Sequence, residues 1–232
     1  EGGAMSARTF ALAAALLAAI PGAAVADTFR EAESAAAQGD CETAAPLYEA
    51  VLAGDPPVER QIAAAHALAI CKATPEEVWR SRELMSELLP VVMQHYGPQS
   101  AGLARHHAIW SEVEVRAGAL NVAWRRSEAA IAAARSAGKV DPFDHAAELY
   151  RLAAIQHARG VGDAFLAFLN GERARLRDID WAAEGDDALF LEVIGNPPDT
   201  GDREAFAAWV RMGLEELDPR PVYLGLLDDT PS

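Results

Sequence analysis

The chain has 232 residues, of which 51% are hydrophobic, and a formal net charge of −15 at pH 7. Binding to nucleic acid or to anionic lipid needs a cationic face, so this charge argues against both as partners. Alanine is abundant and no alternating apolar run of strand length occurs, which predicts an all-α fold. The acidic excess lies before residue 101 and after residue 177, because the segment between them is slightly basic.

The first residues have the features of a secretory signal. Arg8 precedes an apolar run over residues 10–20, and residues 24–26 are small, as a cleavage site requires. We predict a signal peptide over residues 1–26, with a start-site extension at 1–4, and a periplasmic or secreted mature protein. The apolar run is too short to span a bilayer, so no stable membrane insertion is expected after cleavage. An N-terminal core helix is the alternative.

Turn and capping residues divide the remaining chain into helices. The first predicted helix covers residues 28–38 and stops at a Gly-Asp turn. A strong helix start follows at Thr74, with Pro75 at the first helical position and Glu77 completing a capping box. The other helices are predicted over residues 41–53, 58–72, 74–96, 99–117, 120–137, 141–159 and 163–177.

One spacing of side chains is repeated among these helices. Ala44, Tyr48 and Val51 recur at i, i+4 and i+7 on one face of the second helix, between a Gly-Asp turn and a Pro-Pro break. The same spacing returns twice, at Ala123-Ser127-Ala130 and at Ala164-Phe168-Gly171. This pattern resembles the second helix of a tetratricopeptide (TPR) unit, in which the small residue lets two helices approach and the aromatic residue fills the gap between repeats.

The resemblance to TPR proteins covers roughly residues 28–177, and Tyr96-Gly97-Pro98 is similar to the longer repeats of the kinesin-light-chain type. It implies a TPR-like α-α superhelix, a right-handed solenoid of helical hairpins, over residues 27–177. Such proteins bind other proteins in a concave groove. The resemblance therefore implies a non-catalytic scaffold, and a generic helical repeat is the alternative.

Two cysteines are placed to form a disulfide once the protein is exported. If residues 41–53 and 58–72 form antiparallel helices joined at 55–57, Cys41 and Cys71 stand opposite each other at the open end of the hairpin, within bridging distance. We therefore predict a Cys41–Cys71 disulfide. Two inert buried thiols are the alternative.

The composition changes beyond residue 177. Residues 178–232 are strongly acidic, with a short apolar piece at 188–194 and an amphipathic helix over 202–217. An open-ended helical stack needs a terminal cap with one polar face, so we predict that this segment is a helical cap with a fraying tail. Regulation or shielding of the groove is the alternative.

The predicted groove is lined by the first helices of the central pairs. Arginine and tryptophan are frequent binding anchors, and the Lys/Asn set with which some TPR domains clamp a C-terminal carboxylate is not recognisable. We expect a protein or peptide partner in the cell envelope. The candidate contact residues are Arg105, His106, Trp110, Arg116 and Arg151.

The sequence has no recognisable motif for catalysis or metal binding. His106 and His107 are adjacent and point about 100° apart on a helix. His145 and Glu148 share a face at i, i+3, but no His-Glu-x-x-His or paired-cysteine set occurs. We expect no catalytic residue, metal or cofactor. The rival interpretation is an all-α periplasmic hydrolase or lyase that uses a carboxylate pair, and a buried carboxylate with a raised pKa in a deep pocket would favour it.

Overall fold

The computed structural model describes residues 22–228, and this part of the chain is helical and contains no β-strand. The prediction of an all-α fold is confirmed. Most of the predicted signal peptide, residues 1–21, lies outside the described residues. The predicted cleavage site after Ala26 falls inside the first helix, in which Val25 is buried.

Seven helices follow one another through the first two thirds of the chain, and each packs on the next. Capping side chains begin several of them, because the first backbone N–H groups of a helix have no partner inside it. Asp40 caps the second helix, Ser100 the fifth and Asp141 the seventh. The helices are α1 (Gly22–Ala37), α2 (Cys41–Ala53), α3 (Val58–Cys71), α4 (Val78–Tyr96), α5 (Ala101–Arg116), α6 (Leu120–Ser136) and α7 (Pro142–Ala158).

Helix α4 begins later than its capping motif predicts. The Thr74 hydroxyl accepts a hydrogen bond from the backbone N–H of Glu77 at 3.3 Å, as expected of a cap. The residues after Thr74 nevertheless form a separate turn, and the regular helix begins at Val78. Thr74 therefore caps this turn, and the backbone N–H of Val78 also donates to the Thr74 carbonyl at 2.8 Å.

The predicted Cys41–Cys71 disulfide is present, with the two Cα atoms 5.0 Å apart. It joins the first residue of α2 to the last residue of α3, as expected for an antiparallel hairpin. Tyr48, Ala44 and Val51 are all buried on the face of α2 that packs between α1 and α3. The predicted spacing of this face is therefore confirmed.

The later copies of this spacing differ from each other. Ala123, Ser127 and Ala130 are buried on α6, as the pattern predicts. On α8 (Gly162–Ala174) the buried residues are Phe165, Leu169 and Glu172, one position beyond the predicted set. Ala164 is exposed. Helix α8 packs against α7, which is also covered by later helices of the chain.

Helix α7 is the centre of the second half of the molecule. It packs against α6 and α8, and also against the helices of the C-terminal segment. The largest core cluster runs from Val115 to Leu227, so it includes residues on both sides of position 177. The remaining elements are a 3-10 turn (Leu176–Asp178), α9 (Asp186–Ile194), α10 (Arg203–Leu217) and α11 (Pro221–Gly225).

Helix α10 packs closely against α7 at Gly213. A Cβ atom at Gly213 would lie 2.2 Å from Cζ of Tyr150 on α7. The Tyr150 hydroxyl donates to the carbonyl of Val193 at 3.2 Å, which holds the ring in place. We expect Gly213→Ala to lower the free energy of unfolding by about 1–3 kcal/mol, the usual cost of overpacking a core, as measured by urea denaturation.

The matched control is Gly171→Ala on α8. A Cβ atom at Gly171 would meet only the end of the Arg175 side chain, at 3.7 Å. Alanine is a better helix former than glycine by about 1 kcal/mol, so this variant should be as stable as the parent protein or more stable. Equal effects of the two substitutions would contradict close packing at Gly213.

Candidate binding groove

A cleft of about 650 Å³ opens between α5 and α7, with α6 as its floor. Much of its wall is made of alanines, which leave space that a larger side chain would fill. Ala104 and Ala108 belong to α5, and Ala130 and Ala134 belong to α6. Its volume lies in the range of pockets that hold drug-sized ligands.

A second cavity of about 260 Å³ lies on the neighbouring side of α5, against α3. Ala101 and Arg105 line both cavities. The two cavities therefore adjoin, and together they follow one face of the molecule across α3, α5 and α7. We call this face the groove.

A network of buried charges closes one end of the larger cleft. Arg220, which lies just before α11, donates to Glu112 on α5 and to Asp218. Arg151 on α7 bonds the same Asp218 and also Glu148. Glu112 is 2% exposed, so an unpaired charge there would be costly. The network fixes the C-terminal segment to both walls of the cleft.

The pKa values of Glu148 and Asp218, the two carboxyl groups bound to Arg151, shift in opposite directions. Burial raises the pKa of Glu148 above its ordinary value, although the nearby Arg151 acts to lower it. Burial also acts to raise the pKa of Asp218, but hydrogen bonds and charges of Arg220 and Arg151 outweigh it and lower this pKa. Asp218 is therefore ionised at neutral pH, whereas burial makes Glu148 easier to protonate than an exposed glutamate.

His145 lines the same cleft and is 2% exposed. Its Nε2 lies 3.6 Å from Oε2 of Glu172, which is fully buried on α8. Burial acts to raise the pKa of Glu172, but interactions with His145 and Arg135 outweigh it, so this pKa is lowered. Trp181 and Phe190 pack against the imidazole with ring centroids 6.1 and 5.3 Å away.

Backbone pairing between two loops brings Trp181 to this position. The N–H of Val140 donates to the carbonyl of Asp180 at 2.7 Å, and the N–H of Ala182 donates to the carbonyl of Val140 at 2.9 Å. This pairing is an isolated parallel β-bridge between Val140 and Trp181. It also fixes the loop that places Lys139 at the cleft.

The structure brings two of the five sequence-predicted groove residues to the cleft. Arg105 and Arg151 line it, and Arg105 is exposed with no ion pair to any residue of the described chain. Arg116 is exposed at the end of α5 and binds Glu112 at 2.8 Å. His106 and Trp110 do not line the larger cleft, because they are buried on the other side of α5.

His106 and Trp110 are packing residues of the helix interfaces. Trp110 Nε1 donates to Glu114 at 3.2 Å, and the guanidinium of Arg126 lies 3.4 Å from the centre of its ring. His106 Nδ1 lies 3.0 Å from Nε2 of His66 on α3, so the two imidazoles share one hydrogen bond. Sequence spacing predicts the helix but not which of its faces is turned to the groove.

This imidazole pair makes stability depend on pH. Burial lowers the pKa of His66 to about 3 and that of His106 to about 4, with smaller contributions from neighbouring cations. In the unfolded chain both pKa values return to about 6.5, so unfolding takes up protons between pH 4 and 6.5. The free energy of unfolding should therefore fall as pH drops through this window. Each imidazole contributes up to about 1.4 kcal/mol to this fall for every pH unit.

Urea denaturation at pH 7, 6 and 5 measures this slope. His66→Asn should remove the contribution of one proton from this slope, and the double variant with His106→Asn should remove the contribution of two. A double variant that keeps the slope of the parent protein would show that other groups are responsible.

Several residues of the cleft had little or no signal in the sequence. His145 and Glu148 are recognisable as sharing a helical face, but only the fold turns that face to the cleft. Glu112 and Arg116 have the i, i+4 spacing of a helical ion pair. Arg220 joins the cleft from a distant part of the chain, and no local pattern predicts it.

No protein-family model, curated protein or solved structure matches the chain. Among residues 22–228, no helix is long and apolar enough to cross a membrane. Within the same residues, no group of three His, Cys, Asp or Glu side chains is arranged to hold a metal ion.

Proposed function

We propose that this protein is an exported TPR-like helical scaffold whose groove binds a segment of another envelope protein, without catalysis. The observation that carries the proposal is the pair of adjoining cavities along α3, α5 and α7, which share Ala101 and Arg105. An extended peptide fits such an arrangement better than a compact molecule does. In TPR-type superhelices alternate helices line the concave face, and α3, α5 and α7 alternate in the same way.

The charges in the cleft also favour binding without turnover. Glu112 and Glu148, which line the cleft, and the neighbouring Asp218 are held by arginines of the chain itself. The residues that line the larger cleft include no serine, threonine or cysteine, so no side-chain hydroxyl or thiol nucleophile faces it. Arg105 and Lys139 are the cations there without an ion pair among the described residues.

Export is supported by the disulfide. Disulfides persist in oxidising compartments and are rare in the cytosol, and the bond between Cys41 and Cys71 closes the first hairpin. A periplasmic or secreted location therefore agrees with the predicted signal peptide. Mass spectrometry of the exported protein should find an N-terminus at Asp27.

Site-specific photo-cross-linking tests the groove. A photoreactive amino acid at Ala108, inside the cleft, should form an adduct with one envelope protein in intact cells. The same amino acid at Ala132, exposed on α6 and outside the cleft, should not. Ala108→Phe, which fills the cleft, should lower the affinity for the captured segment at least tenfold, while Ala132→Phe leaves it unchanged. Equal labelling from both positions, or none from Ala108, would contradict the proposal.

One observation favours the rival function, an all-α hydrolase or lyase. Glu148 lines the larger cleft, and burial raises its pKa, as expected for a general acid. Asp218 is bound to the same arginine, Arg151, and its pKa is lowered, so the pKa values of the two carboxyl groups shift in opposite directions, as in acid–base pairs. Recovery of the captured segment after incubation separates the two functions. An intact segment supports the scaffold, whereas a cleaved segment, with cleavage lost in Glu148→Gln, supports the rival.

A further inference from the structure

The smaller cavity of the groove lies at the start of α5. Its wall includes Ala101 and Gly102, the first two residues of this helix. The first backbone N–H groups of a helix have no partner inside it, and they form the positive end of the helix dipole. The Ser100 hydroxyl accepts one of them, the N–H of Leu103, at 3.1 Å. The N–H groups of Ala101 and Gly102 make no hydrogen bond within the described chain.

Arg105 adds an unpaired positive charge to the same wall. It is exposed and forms no ion pair in the described chain. It lies one turn after Ala101 on the same face of α5, and helical side chains lean toward the start of their helix. The acidic residue of the wall, Glu59, is at the rim, because its side chain is 64% exposed and contacts His95 at 3.2 Å. The first turn of α5 contains no acidic side chain, so no near neighbour on the helix neutralises this charge.

His66 is a second and independent indication of a ligand. Its side chain lines the cavity and is only 5% exposed. Because Nε2 is turned to His106, the ring nitrogen left for the cavity is Nδ1. This nitrogen makes no hydrogen bond in the described chain, but unlike the unpaired nitrogens of His145 it keeps contact with solvent. A nearly buried polar atom without a partner inside the protein calls for one from outside.

The pair of neutral imidazoles can present a donor to the cavity. Burial lowers the pKa of His66 to about 3, so at pH 7 only one of its ring nitrogens carries a proton. When His106 Nδ1 donates to Nε2 of His66, the proton of His66 lies on Nδ1. An anion in the cavity favours this arrangement, because an ionised carboxylate accepts hydrogen bonds and donates none.

We propose that the smaller cavity binds a carboxylate side chain, aspartate or glutamate, of the partner segment. Its oxygens accept hydrogen bonds from Arg105, from the free N–H groups at the start of α5 and from Nδ1 of His66. This inference rests on the proposed function and names one residue class of the bound segment. A planar carboxylate matches the fork of a guanidinium, and the cavity volume of about 260 Å³ leaves room for the side chain that carries it.

The position of Arg105 favours a side chain over the carboxyl terminus of the segment. Ala101 and Arg105 line both cavities, so they lie in the middle of the groove. A segment that continues through both cavities presents side chains at this point, and its terminus lies elsewhere.

The tripeptides acetyl-Ala-Glu-Ala-amide and acetyl-Ala-Gln-Ala-amide test the site. They differ by one charge at nearly the same shape, and the change is in the ligand, so folding of the protein is not affected. Hydrogen bonds to a charged group are about twice as strong as neutral ones, and we expect the glutamate peptide to bind at least tenfold more tightly in an NMR titration at pH 7. Equal affinities, or no binding of either peptide, would overturn the proposal.

A third peptide distinguishes a side chain from a terminus. Acetyl-Ala-Gln-Ala with a free terminal carboxylate should bind no more tightly than its amide. Binding of this peptide as tight as that of the glutamate peptide would overturn the assignment to a side chain.

Ala101→Asp places a competing carboxylate at the first position of α5. An acidic residue there stabilises a helix through its dipole, so urea denaturation should find the variant at least as stable as the parent protein. Its preference for the glutamate peptide should nevertheless be lost. Ala101→Asn has the same shape without the charge and should keep the preference. Loss of the preference in both variants, or in neither, would refute the role of the helix start.

Arg105→Gln should lower the affinity for the glutamate peptide at least tenfold. The matched Arg125→Gln removes an exposed arginine of α6 that lines neither cavity, and it should leave the affinity unchanged. In protein labelled with ¹⁵N at histidine, the peptide should shift the Nδ1 resonance of His66 toward that of a protonated nitrogen and leave the resonances of His157 unchanged. Equal effects of the two arginine variants, or an unchanged His66 resonance, would contradict the site.

The outcomes also separate this inference from the proposed function. An adduct from Ala108 without a preference for glutamate means that the groove binds a segment with a different anchor, and only the inference fails. A preference for glutamate without any protein adduct means that the carboxylate site is real but does not serve a protein scaffold.

Discussion

Phe206→Ala should lower the free energy of unfolding by about 3–5 kcal/mol, the usual cost of deleting a buried aromatic side chain. Phe206 lies on α10 and is 1% exposed. Its ring is 5.8 Å from that of Phe165 on α8 and 5.7 Å from that of Trp209, so the truncation would leave a cavity inside the largest core cluster. Urea denaturation measures the loss.

Met212→Ala is the matched control on the same helix. Met212 is 61% exposed, and substitutions of exposed residues usually change stability by less than about 0.5 kcal/mol. The comparison also decides between the two roles considered for residues 178–232. A large loss at Phe206 alone means that the segment is part of the core. Small effects at both positions, with stronger partner capture, would instead indicate a detachable shield.

Cys41→Ser combined with Cys71→Ser should lower the free energy of unfolding by about 3–4 kcal/mol. The cysteines are 30 residues apart, and a cross-link over a loop of this length restricts the unfolded chain by that amount in the chain-entropy model. The bond also ties the start of α2 to the end of α3, which belong to one of the smaller core clusters. Urea denaturation under non-reducing conditions measures the difference.

Reduction of the parent protein supplies the control. A reducing agent should lower its stability to that of the double variant and leave the variant itself unchanged. A parent protein whose stability does not respond to the reductant would show that the bond does not form in solution.

Local sequence signals predicted most of the helices. The Gly-Asp turn before α2 and the Pro-Pro break after it act within a few residues, so their effect does not depend on the rest of the fold. The prediction at Thr74 missed the start of α4 by four residues, because the same cap also suits an isolated turn. The Cys41–Cys71 bond was predictable because a short hairpin fixes which positions face each other.

The cleft was less predictable than the helices that form it. Arg105 and Arg151 were identified from their residue type and helix. His106 and Trp110 lie on the same helix as Arg105 but face the other way. The difference is a rotation of α5 about its axis, and that rotation depends on how α3, α4 and α6 pack against it. Glu112 could therefore be assigned to the cleft only once this packing was known. The shared face of His145 and Glu148 on α7 was recognisable, but its place in the cleft was not.

The sequence by itself determined that this chain is all-α, where its helices lie and which two cysteines join, since each depends on side chains close together in the chain or across one short turn. The tertiary structure decided that α7 is enclosed by the C-terminal helices and that Arg220 reaches Glu112. It also decided that His66 of α3 and Arg105 of α5 line one cavity. These features join residues up to 108 positions apart, and such contacts are set by the packing of whole helices, which no local spacing encodes.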